Sequence, residues 1–341
     1  MTKKLILIFI LPPIFAAVFV SIHVGYLLKK AHSKGETEFT INPGEGFSTI
    51  NYRLSQAELI SNTRVFHYYA RHKNLMNKFK AGTYTIAANA NIPQVIEILV
   101  YGKPNLTSIT IPEGKNLYEI AKLLEENEIT KANDFILLAK SGDVLRELNI
   151  DGPNIEGYLY PETYKFAKRT PAKQVLQSMV SLFKQTTQSI DLSHPTLNPK
   201  EIIILASMVE KETGAKHERA TIAGVFHNRL KKKMRLQSDP TTIYGIYETY
   251  NGNLRKTDLL NYTEYNTYKI PALPIGPICN PSLAAIKAVL NPEQHDYLYF
   301  VSRNDGTHIF TSTYKEHNQA VDEWQKNRVN RQGKSWRDLK Q

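Results

Sequence analysis

The chain holds one cysteine, Cys279, so a disulfide framework and any multi-cysteine zinc or iron–sulfur site are excluded. Nucleotide chemistry has no support: neither a G-x-x-x-x-G-K-[ST] phosphate loop nor a G-x-G-x-x-G turn occurs. There is no H-E-x-x-H, and His217, Glu218 and His227 lack metal-ligand spacing, so no metal and no cofactor are expected. A G-x-S-x-G elbow is missing, and Cys279 sits among prolines without a suitably spaced histidine. What is present has the ordinary globular mix, 341 residues with 42% hydrophobic and 22% charged. That excludes wholesale disorder and implies about two domains beyond any targeting segment. Lys plus Arg number 43 and Asp plus Glu 32, a net charge of +11 that suits an anionic partner. No binding motif accompanies the charge, so nucleic acid is not expected.

The N-terminus suggests a compartment. Leu5 to Leu28 runs 24 residues without a permanently charged side chain, with Lys3 and Lys4 before it and Lys29 and Lys30 after. About 20 apolar residues cross a ~30 Å hydrocarbon core, and a cleaved signal peptide would have a shorter apolar region. Residues 1–4 therefore read as a cytoplasmic tip and 5–28 as a single uncleaved transmembrane helix, kinked at Pro12 and Pro13. The working part is expected beyond the membrane, outside the cytoplasm.

After a polar linker at 29–37, alternating and helical spacings interleave, which gives an α+β fold class. Residues 38–104 read strand, helix, helix, strand, then a short helix, an order that resembles a LysM-like glycan-binding module. A weak copy follows within 105–195: Ile109-Thr110-Ile111-Pro112-Glu113-Gly114 and its helix parallel Phe39-Thr40-Ile41-Asn42-Pro43-Gly44 and theirs. Beyond the linker Leu192–Asn198, residues 196–341 form a helix- and loop-rich third part, expected to carry the chemistry, with a basic C-terminal tail.

That part opens on a helix start, with Asn198 as cap, Pro199 at the first position and Glu201 three residues after the cap. Residues 202–209 are apolar on nearly every side, so the helix should be buried. It nevertheless ends Glu210-Lys211-Glu212-Thr213, with Gly214 as the expected stop. Glu212 continues the stripe Ile202, Leu205, Val209, while Glu210 continues Ile203, Ala206. Apolar surroundings and the negative end of the helix both raise a carboxyl pKa toward that of a general acid. The competing reading pairs one or both glutamates with Lys211, Lys216 or Arg219, merely closing the helix. Two further stretches offer polar groups suited to sugar hydroxyls: Met234–Tyr244, with Arg235, Gln237, Ser238 and Asp239, and Tyr265-Asn266-Thr267-Tyr268. The tract Arg229–Arg235 reads as a solvated helix face.

ASMVEKET (206–213), HERATIAGVFHNRL (217–230), MRLQSDPTTIYG (234–245), YNTY (265–268) and LPIGPICNP (273–281), preceded by KAGTYTI (80–86) and EGYLYPETY (156–164), together resemble the membrane-anchored endolytic murein transglycosylases, the YceG-like family. The resemblance spans nearly the whole chain. It implies a lyase at the inner membrane, its catalytic part in the periplasm, that cuts the MurNAc–GlcNAc β-1,4 bond of nascent peptidoglycan strands. A 1,6-anhydro-MurNAc end results, and glycan elongation stops there. By motif position the catalytic residue is Glu212, with Glu210 as runner-up, and Gln237, Ser238, Asp239, Tyr265 and Asn266 line the glycan groove. Glycan strands, the membrane and peptidoglycan synthases are the implied partners. The alternative is a non-catalytic glycan-binding scaffold of cell-wall synthases.

Overall fold

The structure, a computed structural model, describes residues 2–327, with side chains from Pro13 onward. The basic tail expected at the C-terminus lies, from residue 328 on, outside the described residues. The chain is α+β and divides into two compact units.

The first unit takes the chain up to residue 108, with 127–129 and 165–171. It contains α1 (Thr2–Lys29), β1 (Thr37–Ile41), α2 (Phe47–Gln56), α3 (Thr63–His72), β2 (Gly82–Ile86) and α4 (Ile92–Tyr101). β1 and β2 pair antiparallel, Phe39 opposite Tyr84 and Ile41 opposite Gly82. Alternation along β1 turns Phe39 and Ile41 inward, where they meet Ile50 and Leu54 of α2, Phe66 of α3 and Val95, Ile96 and Leu99 of α4.

The single transmembrane helix expected over 5–28 does not stand as part of the fold. A helix forms there, but among the described residues no helix is long and apolar enough to cross a membrane. Helix α1 runs 28 residues, Thr2–Lys29. Its last turns belong instead to the first unit's core, where Val24, Leu27 and Leu28 pack and the Ser61 hydroxyl donates to Leu27 O at 3.0 Å. The linker expected at 29–37 is tied down as well: His32 is buried and its N–H donates to Ala90 O at 3.0 Å.

In β3 (Leu106–Thr110) and β4 (Thr163–Ala167), a two-stranded sheet, the chain passes between the units. The second unit, 109–126, 130–164 and 172 onward, holds α5 (Leu117–Glu126), α6 (Ala132–Ala139), α7 (Gly142–Glu147), α8 (Ala172–Thr187), α9 (Pro199–Glu212), α10 (Arg219–Lys231), α11 (Asp239–Gly245), α12 (Lys256–Leu260), α13 (Leu283–Leu290), the antiparallel hairpin β5 (Tyr299–Ser302) and β6 (His308–Thr311), and α14 (Tyr314–Val321). The division expected at 195/196 is absent, because Phe183 of α8 packs into the same core as α9, with Tyr118 and Tyr158 against it.

Asn280 ties two of the distant motifs together. Its Oδ1 accepts from Gly157 N and Leu159 N (2.9 and 2.8 Å), and its Nδ2 donates to Lys115 O and to Glu156 Oε1 (3.0 and 2.6 Å). Glu156 is fully buried, its other oxygen accepting from Leu117 N at 2.7 Å, and burial pushes its pKa up to about 8. Polar groups this deep demand partners, so EGYLYPETY and LPIGPICNP are matched parts of one internal network.

Candidate active site

Helix α9 is the spine of the second unit. Asn198 Oδ1 accepts from Glu201 N at 3.0 Å and Glu201 Oε2 accepts from Asn198 N at 2.8 Å, a capping box that fixes where the helix begins. Residues 202–209 are all buried, so the helix can turn only by breaking its core, and the direction of its last side chains is set. The helix ends at Glu212 with Thr213 as cap. Gly214 does not act as the expected left-handed stop; a side chain there would run into Gly306 O at 2.4 Å, so the glycine permits the close approach of the β5–β6 turn.

On one side of that last turn, Glu210 is fully engaged. Oε1 accepts from Arg219 Nη2 at 3.0 Å, and Oε2 accepts from both the backbone N–H and the hydroxyl of Ser282, the cap of α13. Its carboxylate and the Arg219 guanidinium are almost wholly buried together. This is the ion-paired arrangement that the sequence leaves open, and it applies to Glu210 alone.

Glu212 faces elsewhere. It borders a cavity of about 350 Å³, and its one hydrogen-bond partner among the described residues is the Ser238 hydroxyl, which donates to Oε1 at 2.6 Å. Burial pushes the Glu212 pKa up to about 7. The negative charge of Asp239 adds to the rise, while the Ser238 bond, Arg229 and Lys211 pull against it. At neutral pH the carboxyl is poised between its two forms, as a group that must give and take a proton requires.

The loop before α11 builds the support. Ser238 is buried, and its N–H donates to Thr267 Oγ1 at 2.9 Å; Thr241 Oγ1 bonds Thr267 Oγ1 at 2.8 Å and donates to Ser238 O at 2.6 Å. This hydroxyl cluster holds Ser238 against the acid. Gln237 is exposed on the cavity rim with φ +51°, a left-handed conformation that costs a non-glycine residue about 1–2 kcal/mol. Asp239 borders the cavity and accepts from the Tyr268 hydroxyl at 2.6 Å.

Two of the residues expected in the groove lie elsewhere. Asn266 is completely buried: its Nδ2 donates to Asn261 O (2.6 Å) and Leu259 O (3.1 Å), and its Oδ1 accepts from Thr242 Oγ1 and Tyr268 N, both at 3.0 Å. With its amide committed to the loop, it has nothing left for a sugar, and its work is to place Thr267 and Tyr268. Tyr265 packs its ring 4.8 Å from that of Tyr244 at the core's margin and does not line the Glu212 cavity.

Other lining residues carry weaker sequence signals. Arg229, read as the start of a solvated face, is buried; Nε donates to Leu298 O (2.6 Å), Nη1 to Leu236 O (2.7 Å), and the guanidinium lies 5.3 Å from the Tyr299 ring centroid. Its position in the stripe Ile222, Phe226, Arg229 was the available clue. Tyr299, Phe300, Tyr314 and His317 close the cavity from the hairpin and α14. The hairpin is held by Glu218, whose two oxygens take the backbone N–H and Nδ1 of His308 at 3.0 and 2.7 Å. Among the described residues no group of three or more His, Cys, Asp or Glu could hold a metal ion. A larger groove of about 1040 Å³ runs along the start of α9, past Asn198, Ile204 and His227. Of the two carboxylates on its wall, Glu201 is spent in the capping box and Asp151 is exposed, 3.6 Å from Lys200, so neither is a desolvated acid.

A lone glutamic acid of raised pKa, held by a serine hydroxyl at the mouth of a cavity with amide, phenol and aromatic walls, defines an α+β enzyme of acid catalysis. The chain belongs to the YceG-like family, whose model matches residues 39–323. It is 33% identical to the endolytic murein transglycosylase of Bacillus subtilis, over 87% of this chain and 88% of that protein. It is 30% identical to the enzyme of the same name from Streptococcus pneumoniae, over 88% of this chain and 60% of that longer protein. A crystal structure of a YceG-like protein from Listeria monocytogenes superposes with a TM-score of 0.58 at 31% identity, covering 84% of this chain and 99% of that one.

Proposed function

We propose that Glu212 is the acid of an endolytic murein transglycosylase reaction. The chain acts as such a lyase on peptidoglycan, as its relatives in Bacillus and Streptococcus are named to do. The protonated Glu212 carboxyl gives its proton to the oxygen of the MurNAc–GlcNAc β-1,4 bond, which breaks with the bonding pair on the leaving oxygen. The resulting carboxylate takes the proton of the sugar's own 6-hydroxyl as that oxygen closes on the anomeric carbon, leaving a 1,6-anhydro-MurNAc end. One carboxyl serves both steps and regains its proton, so no activated water is needed. The intramolecular closure draws on a high effective concentration of the attacking hydroxyl. A strand ended in this way cannot be extended.

The observation that carries this reading is the asymmetry at the end of α9: Glu210 is consumed by Arg219 and Ser282, while Glu212 is left to the cavity with Ser238. A hydrolase reading has one observation on its side, the second carboxylate Asp239 on the same wall, since hydrolases use two. Digestion of purified glycan strands by the full chain separates them by the mass of one water. Anhydro ends support the lyase, reducing ends the hydrolase, and binding without any cleavage the scaffold. Nascent strands are made on the outer face of the plasma membrane, so the catalytic part works there, beside the synthases that supply them. The first unit, with its strand–helix–helix–strand order, contributes LysM-like glycan binding rather than chemistry.

A further inference from the structure

The wall of the Glu212 cavity has an unexplained polar atom. Nδ1 of His317 is shielded from solvent and has no hydrogen-bond partner among the described residues, yet the residue lines the cavity. Buried polar atoms are nearly always paired, so an unpaired one in a residue of a cavity wall points to a ligand group that completes the bond. The His317 ring is stacked on Tyr299, with centroids 5.1 Å apart and planes 25° apart, and Arg229 packs on the same Tyr299 ring. The imidazole is thus held against the cavity wall by ring contacts. Three residues earlier on α14, Tyr314 also lines the cavity with 64% of its surface exposed, its ring 6.0 Å from that of Tyr299 and 6.4 Å from that of His317. Residues three apart share a helix face, so phenol ring and imidazole form one surface.

We propose that Tyr314 and His317 form a sugar subsite of this cavity, in which a pyranose lays its C–H face on the Tyr314 ring and bonds one hydroxyl to His317 Nδ1. The inference rests on the reading of the cavity as a glycan site and extends it to the C-terminal helix. A hydroxyl both donates and accepts, so it satisfies Nδ1 whichever ring nitrogen carries the proton. Burial first, and then the Arg229 charge, hold the His317 pKa below its ordinary value, so the ring offers a neutral partner for a neutral sugar. An apolar ring beside one fixed polar atom is the usual build of a site for a small polar ligand.

The test uses the full chain and purified, uncleaved glycan strands. In a Glu212→Gln background, which binds without cutting, His317→Phe and Tyr314→Ala should each weaken strand binding about fivefold, and Tyr314→Phe should not. With the acid intact, the same two changes should raise KM by a similar factor and leave kcat within about twofold. Unchanged binding and KM in both variants would overturn the subsite, as would a fall in kcat at constant KM. Tyr314 is exposed, so Tyr314→Ala decides the matter if His317→Phe does not fold. A full chain that leaves glycan uncut overturns the activity instead, and the binding series still reads the subsite.

Discussion

The two sides of the last turn of α9 treat chemically identical side chains in opposite ways. Toward α10 and α13, Glu210 meets a buried guanidinium and the N–H and hydroxyl of Ser282, and both oxygens are spent on holding helices together. Toward the cavity, Glu212 meets one serine hydroxyl and the negative Asp239. The first unit offers the same contrast. At Glu45 burial also pulls the pKa up, but the Arg53 and Asn42 bonds outweigh it and hold the carboxyl below its usual range. Burial by itself therefore does not raise a carboxyl's pKa; burial with the counter-charge withheld does.

The contrast can be broken at either glutamate. Glu212→Gln should show the largest effect, a loss of cleavage of at least about 10²–10⁴-fold, measured as release of anhydro-ended fragments. The same variant sharpens the comparison thermally. A carboxyl whose folded pKa is raised to about 7 favours the fold below its unfolded value, and that contribution is lost as pH rises through 7. The melting temperature of Glu212→Gln relative to the parent should therefore be higher at pH 8 than at pH 5. Glu210→Gln should do the reverse of Glu212→Gln: a loss of stability of about 3 kcal/mol in denaturant, from leaving buried Arg219 with only the half-exposed Glu113 at 3.5 Å, with turnover per folded molecule largely kept.

Smaller effects test the support. Asn266→Ala should cost about 2 kcal/mol of stability with KM little changed, because its amide serves backbone carbonyls and not substrate. In Ser238→Ala the donor that favours the charged form of Glu212 is gone, so the alkaline limb of the pH–rate profile should move to higher pH. An unmoved limb would mean that Ser238 does not touch the working acid.

The helix start at Asn198-Pro199, the buried run 202–209 and the anomaly of carboxylates at its end were all legible in the residues, because caps and periodicity are local. Which glutamate stays unpaired was not legible, since that depends on Arg219 and Ser282, brought in by other elements. Asn266 illustrates the same limit from the other side: an amide in a polar loop reads as a sugar contact until the fold wraps three backbone carbonyls around it. Arg229 was hidden inside a basic tract whose other members are mostly exposed, and the Tyr299–His317 wall comes from a hairpin and a helix without a dense motif. At the N-terminus, an apolar run that reads as a membrane span shares its last turns with a core, which hydropathy alone does not register.

The most direct measurement of the central claim is the pH dependence of kcat for glycan cleavage by the full chain and by Glu210→Gln. Both should lose activity as pH rises through about 7, as the Glu212 carboxyl gives up the proton it must deliver. A limb near pH 4.5 in the parent, or its displacement in Glu210→Gln, would contradict the assignment of Glu212 as the buried acid.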